Sequence, residues 1–193
     1  HVDHLGALAQ LRQDTGAPVY AFHSSIAPEL APDVPLRDGD QVGPLTALHT
    51  PGHASDHLCF SRSDGILFTA DHVMAWSSSV VSPPGGSMAS YLDSLQLLIE
   101  RNDVVYMPGH GPALPEPIDY VRELRRRRIQ REEEILVAVR ETPRTTGELS
   151  RELYHKADPV LQAAAERNVL AHLIKLESEG KVTRDAEVWS GVT

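Results

Sequence analysis

Thr50-Pro51-Gly52-His53 and Pro108-Gly109-His110 each place a histidine in a turn directly after a strand-like run. Proline followed by glycine ends regular structure, so both histidines are predicted to lie in loops at strand ends. Asp71 follows a third strand-like run, in Thr69-Ala70-Asp71. Side chains that project from such loops can meet at one site, although they are far apart along the chain. The three segments therefore predict a functional site built from loops at strand ends.

Strand and helix patterns alternate around these segments, which indicates an α/β fold. Strands are predicted at residues 18–22, 45–50, 57–61, 66–70 and 104–107, and helices at 5–14 and 88–100. The third and fourth strands are expected to form a hairpin across Ser63-Asp64-Gly65. Prolines at 28, 32 and 35 predict no regular structure before the turn at 38–40. Residues 77–87, rich in Ser, Pro and Gly, are predicted to be an irregular, flexible lip over the site.

After Pro117 helical periodicity dominates, so the chain is divided into residues 1–117 and residues 118–193. Helices are predicted at about 118–140, 146–154 and 160–179, and the second begins with the capping pattern Thr145-Thr146-Gly147-Glu148. Two short strands at 181–183 and 187–189 follow. Three helices and a hairpin in this order are typical of a winged helix.

Composition excludes several classes of protein. The 193 residues carry a net charge of −9, which argues against nucleic-acid binding through overall charge. No apolar run is long enough to cross a membrane, so a soluble, cytoplasmic protein is expected. The single cysteine, Cys59, cannot form an internal disulfide. The chain opens on His-Val-Asp-His without methionine, and an N-terminal part is expected to be missing.

The candidate metal ligands are imidazoles and carboxylates. They are His1, Asp3, His4, His53, Asp71 and His110. These donors suit zinc, and also iron or manganese, and they favour a catalytic metal over a structural one. Any one of them alone could be an ordinary polar residue. His49 and His72 are interpreted as structural residues first, with a hydrogen bond to a metal ligand as the alternative.

The combination resembles the metallo-beta-lactamase superfamily. His1-x-Asp3-His4 is similar to the end of its His-x-His-x-Asp-His motif, and the other three ligands match its later motifs in order and approximate spacing. The resemblance implies the C-terminal portion of an αββα sandwich with two divalent metal ions, most readily Zn²⁺. It also implies that His1 and His53 bind the first ion, that Asp3, His4 and His110 bind the second, and that Asp71 bridges them. The motif's first histidine would precede His1 by two residues.

The C-terminal part is similar to the beta-lactamase-like protein 2 group. The similarity rests on Asn168, His172-Leu173, Leu176 and Gly180-Lys181-Val182, and it extends over essentially the whole chain. That group includes endoribonucleases, and related families hydrolyse thioesters, lactones and β-lactams. The resemblance therefore implies a hydrolase that uses a metal-activated hydroxide on an RNA phosphodiester or on a thioester or lactone. Asp3 and Asp71 are the expected catalytic residues.

Substrate contacts are predicted at His57, which has Asp56 beside it, and at Arg125 and Arg128 in the arginine run of the long helix. The run could guide a phosphate backbone, or it could be a solvated helix face whose charge is offset by the glutamates at 132–134. The expected partner is a small molecule or single-stranded RNA. No contact with a membrane is expected, and assembly into a homodimer is left as an alternative.

The alternative function is a nucleic-acid-binding module in which the winged helix enters the major groove and the metal domain is secondary. The third helix argues against duplex DNA. A recognition helix normally has an excess of positive charge. The third helix carries two basic residues, Arg167 and Lys175, and three acidic ones, Glu166, Glu177 and Glu179.

Overall fold

The computed structural model describes residues 2–25, 31–155 and 158–192. The helices are α1 Val2–Leu5, α2 Leu8–Thr15, α3 Met88–Ile99, α4 Ile118–Glu141, α5 Thr146–Leu153 and α6 Gln162–Ser178, with a 3-10 turn at Pro159–Leu161. The strands are β1 Tyr20–Phe22, β2 Val34–Leu36, β3 Gln41–Val42, β4 Leu45–His49, β5 Leu58–Arg62, β6 Ile66–Ala70, β7 Val105–Pro108, β8 Leu114–Pro115, β9 Arg144–Thr145, β10 Val182–Asp185 and β11 Val188–Gly191. Among the described helices, none combines the length and the apolar character that crossing a membrane requires.

A six-stranded sheet with the order β3-β4-β5-β6-β7-β8 forms the core of the first part. Neighbouring strands are antiparallel except for β6 and β7, which run parallel. Two successive antiparallel pairings make β4 parallel to β6, so β4, β6 and β7 all end at the same edge. The loops that follow these three strands carry His53, Asp71 and His110. The sheet topology thus brings the three predicted strand-end residues to one edge.

The predicted α/β class and the five predicted strands are confirmed, and β5 and β6 form the expected hairpin. The prediction of no regular structure before the turn at 38–40 is wrong for one segment, because Val34–Leu36 forms strand β2 despite Pro35. Among the described strands it pairs with β1 alone, in parallel, with Ala21 opposite Pro35. A proline is tolerated in such an edge position because its missing N–H need not serve a second neighbour.

Helix α4 is shared by two hydrophobic cores. Val121 and Leu124 pack with residues of the sheet and α3, such as Leu67 and Leu95. Farther along the same helix, Ile135 and Val139 pack with residues of α5, α6 and the C-terminal hairpin, including Leu149, Leu173 and Trp189. The division at residue 117 stays a prediction, and α4 contributes to the cores on both sides of it.

Polar side chains also join α4 to α6 inside the protein. Glu132 accepts hydrogen bonds from Lys175 Nζ at 2.6 Å and from His172 Nδ1 at 3.1 Å. Burial lowers the pKa of His172, although the adjacent Glu132 carboxylate opposes this shift. Arg128 Nη1 donates to Asn168 Oδ1 at 3.1 Å, and that oxygen also accepts the Val81 N–H at 3.0 Å. Asn168 therefore connects α4, α6 and the irregular segment around Val81.

Candidate metal centre

Four of the predicted ligands converge at the edge where β4, β6 and β7 end. One ligand atom from each of Asp3, His4, Asp71 and His110 lies within 4.8 Å of the others. The residues come from α1, from the loop after β6 and from the loop after β7. His1 lies outside the described residues, so its predicted role as a ligand stays a prediction.

Asp71 lies at the middle of the cluster, and its two oxygens face different histidines. Its Oδ2 is 3.0 Å from His4 Nε2 and 3.6 Å from His53 Nε2, whereas its Oδ1 is 3.5 Å from His110 Nε2. The preceding residue, Ala70, has a φ of +43°, and the pairing of β6 with β7 shifts register there. A strained backbone of this kind is common at functional sites, and here it occurs where the chain turns Asp71 into the cluster.

Asp3 completes the cluster from the other side. Its Oδ2 is 3.3 Å from His110 Nε2 and 3.7 Å from His4 Nε2, and its side chain is more exposed than that of Asp71. The rings of His4 and His110 meet edge to face with centroids 5.2 Å apart. Asp3 is therefore the carboxylate of the cluster that solvent or a substrate reaches most easily.

The orientation of His53 is fixed by the irregular segment that was predicted to border the site. His53 Nδ1 donates to the Val80 carbonyl at 2.6 Å, which leaves Nε2 as the nitrogen that faces Asp71. A hydrogen bond of this type sets the tautomer of a metal-binding histidine. Residues 77–87 precede α3 without helix or strand, as predicted, and they lie against His53.

The residues of the cluster fit divalent metal ions. Three imidazole nitrogens and two carboxylates face one another, and Asp71 Oδ1 is buried without a hydrogen-bond partner among the described residues. A buried carboxylate oxygen of this kind is costly unless a cation or a donor approaches it. Nitrogen and oxygen donors in this combination suit zinc, iron or manganese.

His57 lies beside the cluster but does not belong to it. Its Nδ1 shares a hydrogen bond of 2.9 Å with Thr50 Oγ1, and its Nε2 is buried without a partner in the part of the chain that the structure describes. Burial, helped by the nearby His53, lowers the pKa of His57 to about 4, so the ring is neutral near pH 7. Together with His4, His53 and Asp71 it lines a cavity of about 470 Å³. Its predicted contact with substrate stays a prediction.

Neither His49 nor His72 makes a hydrogen bond to any of the metal-ligand candidates that the structure describes. His49 Nε2 donates to the Ser55 carbonyl at 3.0 Å, and its ring stacks on Phe22. His72 is fully buried beside Tyr91, with ring centroids 4.8 Å apart. The pKa of His72 lies well below its usual value, mainly because the ring is buried. These contacts agree with the structural interpretation of both residues.

The arginine run is divided between surface and interior. Arg126 and Arg127 both donate to Glu123 on the exposed side of α4. Arg125 is half-buried, and its Nε has no partner among the described residues. Arg125 is not among the residues brought together at the cluster, and its predicted contact with substrate stays a prediction.

Arg128 is 5% exposed. It donates to Asn168 and to the Ser79 carbonyl, and its guanidinium lies over the ring of Tyr91. These contacts turn the side chain into the interior. They indicate a structural role for Arg128, and its predicted contact with substrate stays a prediction.

Gly109 leaves no room for a side chain beside the cluster. A Cβ atom at this position would lie 2.9 Å from Asp71 Oδ1 and 3.1 Å from His4 Cε1. We expect Gly109→Ala to lower metal affinity by about 10-fold to 100-fold, because two ligands must shift while the backbone fold is kept. Isothermal titration calorimetry with the metal ion measures this loss of affinity. The matched control is Gly6→Ala, since Gly6 has open space around it. Equal affinity in both variants would contradict the close approach.

An α/β sheet with histidines and aspartates gathered at one edge, from two strand-end loops and from α1, defines a candidate metal site that is partly open to solvent. The comparisons with known proteins agree. The chain belongs to the metallo-beta-lactamase superfamily, whose family model matches residues 1–110, more than half of the sequence. The beta-lactamase associated winged helix domain matches residues 145–189, which confirms the predicted winged helix.

Similar proteins cover both parts of the chain. A beta-lactamase-like protein 2 homolog of Drosophila melanogaster is 27% identical over 94% of this chain and 67% of its own length, which confirms the predicted resemblance. A metallo-beta-lactamase family protein from Thermus thermophilus superposes with a TM-score of 0.74 at 26% identity, over 97% of this chain and 64% of its own. An atrochrysone carboxyl ACP thioesterase of Aspergillus chevalieri is 33% identical over 51% of this chain and 31% of its own length. The chain thus spans about two thirds or less of these relatives.

Proposed function

We propose that the protein is a hydrolase that depends on two divalent metal ions, zinc above all, and that it cleaves a thioester or lactone. The observation that carries this proposal is the arrangement around the buried Asp71, which is shared by three histidines: its Oδ2 faces His4 and His53, and its Oδ1 faces His110. One ion would be held by His53 and Asp71, with His1 as the further expected ligand. The other would be held by Asp3, His4 and His110, again with Asp71. Divalent ions in such a pair lower the pKa of a water molecule and polarise the group that it attacks.

The protein's own residues then have separate tasks. Asp71 holds the two halves of the site together, and the Val80 carbonyl keeps His53 in the tautomer that presents Nε2. Asp3 Oδ2, the exposed carboxylate oxygen next to His110, accepts a hydrogen bond from the attacking water and orients it. The neutral His57 lines the adjoining cavity and carries no charge that would compete with the ions for Asp71.

Two observations support an acyl substrate. The cavity beside the cluster is lined in part by apolar and aromatic residues, among them Tyr20, Phe22 and Phe60, which suit the apolar part of a thioester or lactone. The name of the Aspergillus relative describes a thioesterase, and that similarity covers half of this chain. Neither observation distinguishes a thioester from a lactone, so both are included in the proposal.

A second candidate activity, cleavage of single-stranded RNA, is favoured by a different cavity. Trp76, which is 73% exposed, borders a space of about 380 Å³ together with Tyr154, Arg127 and Arg131. Aromatic rings beside arginines can stack on bases and contact phosphates. However, Arg127 pairs with Glu123, and Arg131 pairs with Glu134. These ion pairs reduce the positive charge available to RNA, so this candidate ranks second.

Metal content and substrate preference test the proposal together. Protein purified without chelator is expected to carry close to two equivalents of divalent metal, measured by elemental analysis, because the expected ligands of the two ions would share Asp71. The loaded protein is then assayed with an acyl thioester, a lactone and single-stranded RNA. Hydrolysis of the thioester or lactone is expected. No more than trace metal, or cleavage of RNA alone, would overturn the leading proposal.

A further inference from the structure

A third cavity borders the metal centre at the side of the winged helix. It has a volume of about 330 Å³ and is lined by residues 80 and 82–85, by His53 and Ala54, and by Arg167 of α6. His53 belongs to the candidate metal centre, so a group bound in this cavity lies next to a predicted ligand. Arg167 is the single charged side chain among the described residues that line it.

Among the residues that the structure describes, Arg167 has no acidic partner. Its Nη1 lies 3.5 Å from the Pro83 carbonyl, and none of the carboxylates in the described ranges forms an ion pair with it. The exposed arginines of α4 differ in this respect, because Arg126 and Arg127 share Glu123. The adjacent Glu166 is directed toward Gly147 of α5, where its Oε1 would lie 3.4 Å from an added Cβ. The positive charge of Arg167 is therefore free to bind an anion.

The position of Arg167 is set by its neighbour in the chain. Asn168 is 7% exposed and accepts hydrogen bonds from Val81 N at 3.0 Å and from Arg128 Nη1 at 3.1 Å. Val81 follows Val80, whose carbonyl accepts the hydrogen bond from His53. This series of contacts fixes α6 against the same segment that orients His53. Arg167 is consequently held at the cavity by the fold, although its own side chain is exposed.

We propose that Arg167 binds a carboxylate on the acyl chain of the substrate while the scissile carbonyl lies at the metal centre. The proposal rests on the thioesterase or lactonase function proposed above and specifies its substrate class. A guanidinium matches a carboxylate with two parallel hydrogen bonds. A nucleic-acid strand would instead need several cations along its phosphates, and this cavity offers one. Its other side chains include Ala54, Pro83 and Pro84, which suit the methylene groups of an acyl chain.

The test uses two thioesters of the same thiol, one with a butanoyl and one with a succinyl group, which differ by a terminal carboxylate. We expect the wild-type protein to prefer the succinyl thioester in kcat/KM, and Arg167→Gln to reduce this preference by about tenfold. The control Arg122→Gln removes an exposed arginine of α4 that pairs with Asp119. It is expected to leave the preference and the activity unchanged. A preference that survives in Arg167→Gln would overturn the proposal.

A binding measurement tests the carboxylate site at Arg167 independently of the proposed hydrolase activity. Thioether analogues of the two substrates, which cannot be hydrolysed, are titrated calorimetrically into chelator-treated protein. Wild-type protein is expected to bind the succinyl analogue about tenfold more tightly than the butanoyl analogue. Arg167→Gln is expected to bind the two analogues with equal affinity. If the analogues show this Arg167-dependent difference but no thioester is hydrolysed, the carboxylate site stands and the proposed activity is wrong. If thioesters are hydrolysed without any difference in binding, the activity stands and the carboxylate site is wrong.

Discussion

Asp71→Asn is expected to lower kcat by roughly 100-fold or more and to reduce the bound metal to one equivalent or less. Asparagine keeps the shape of the side chain but lacks the negative charge that would hold two cations between His4, His53 and His110. It also brings an amide nitrogen, which cannot serve as a ligand, toward one of these histidines. Steady-state kinetics and elemental analysis of the same preparation measure the two losses together.

The matched control for this prediction is Asp64→Asn. Asp64 lies in the turn before β6, is exposed, and pairs with Arg62 on the surface. Both variants should show the circular dichroism spectrum of the wild type, and the Asp64 variant should keep its metal and its activity. Near-wild-type turnover in Asp71→Asn would show that this residue does not join the two metal sites.

Arg128→Ala is expected to lower the free energy of unfolding by about 3 kcal/mol. The substitution removes the donors that reach Asn168 and the Ser79 carbonyl, and it leaves a gap beside Tyr91. The carbonyl of the buried Ser79 loses this donor, and the desolvation cost of a buried acceptor is one that water cannot easily compensate. Chemical denaturation followed by circular dichroism measures the change.

The neighbouring Arg127 provides the control. Its side chain is 71% exposed and pairs with Glu123 on the surface, so Arg127→Ala should change the unfolding free energy by less than about 0.5 kcal/mol. If Arg128→Ala were as mild as this control and instead raised KM, the substrate contact predicted from the sequence would be correct and the structural role wrong.

The burial of Arg128 could have been recognised from its spacing in the sequence. The buried side of α4 includes Val121, Leu124, Arg128, Glu132, Ile135 and Val139, which follow one another at intervals of three or four residues. Arg128 and Glu132 thus lie on the same stripe as the apolar residues. The charge of these two residues suggested a solvated face, because a sequence shows no partners for buried ions. Those partners, Asn168 and His172, lie 40 residues away in each case.

Other parts of the fold and site differ in how far the sequence could predict them. The long strands and the loops that carry His53, Asp71 and His110 were predicted, since periodicity and turn residues are local signals. Strands β3, β8 and β9 have two residues each and depend on partners elsewhere in the chain, so no local pattern indicates them. The bond from His53 to Val80 was not predictable either, because any residue could supply that backbone carbonyl.

Helix α4 has a mechanical consequence for the whole molecule. Its 24 residues form a continuous rod of roughly 36 Å, and each half of the rod is embedded in a different core. A hinge between the cores would have to bend this rod, which would break backbone hydrogen bonds in the middle of a regular helix. The sheet and the winged helix therefore cannot rotate against each other as two domains joined by a flexible linker would. Arg167 belongs to α6, which packs on this helix, so its distance from the metal centre is set when the chain folds.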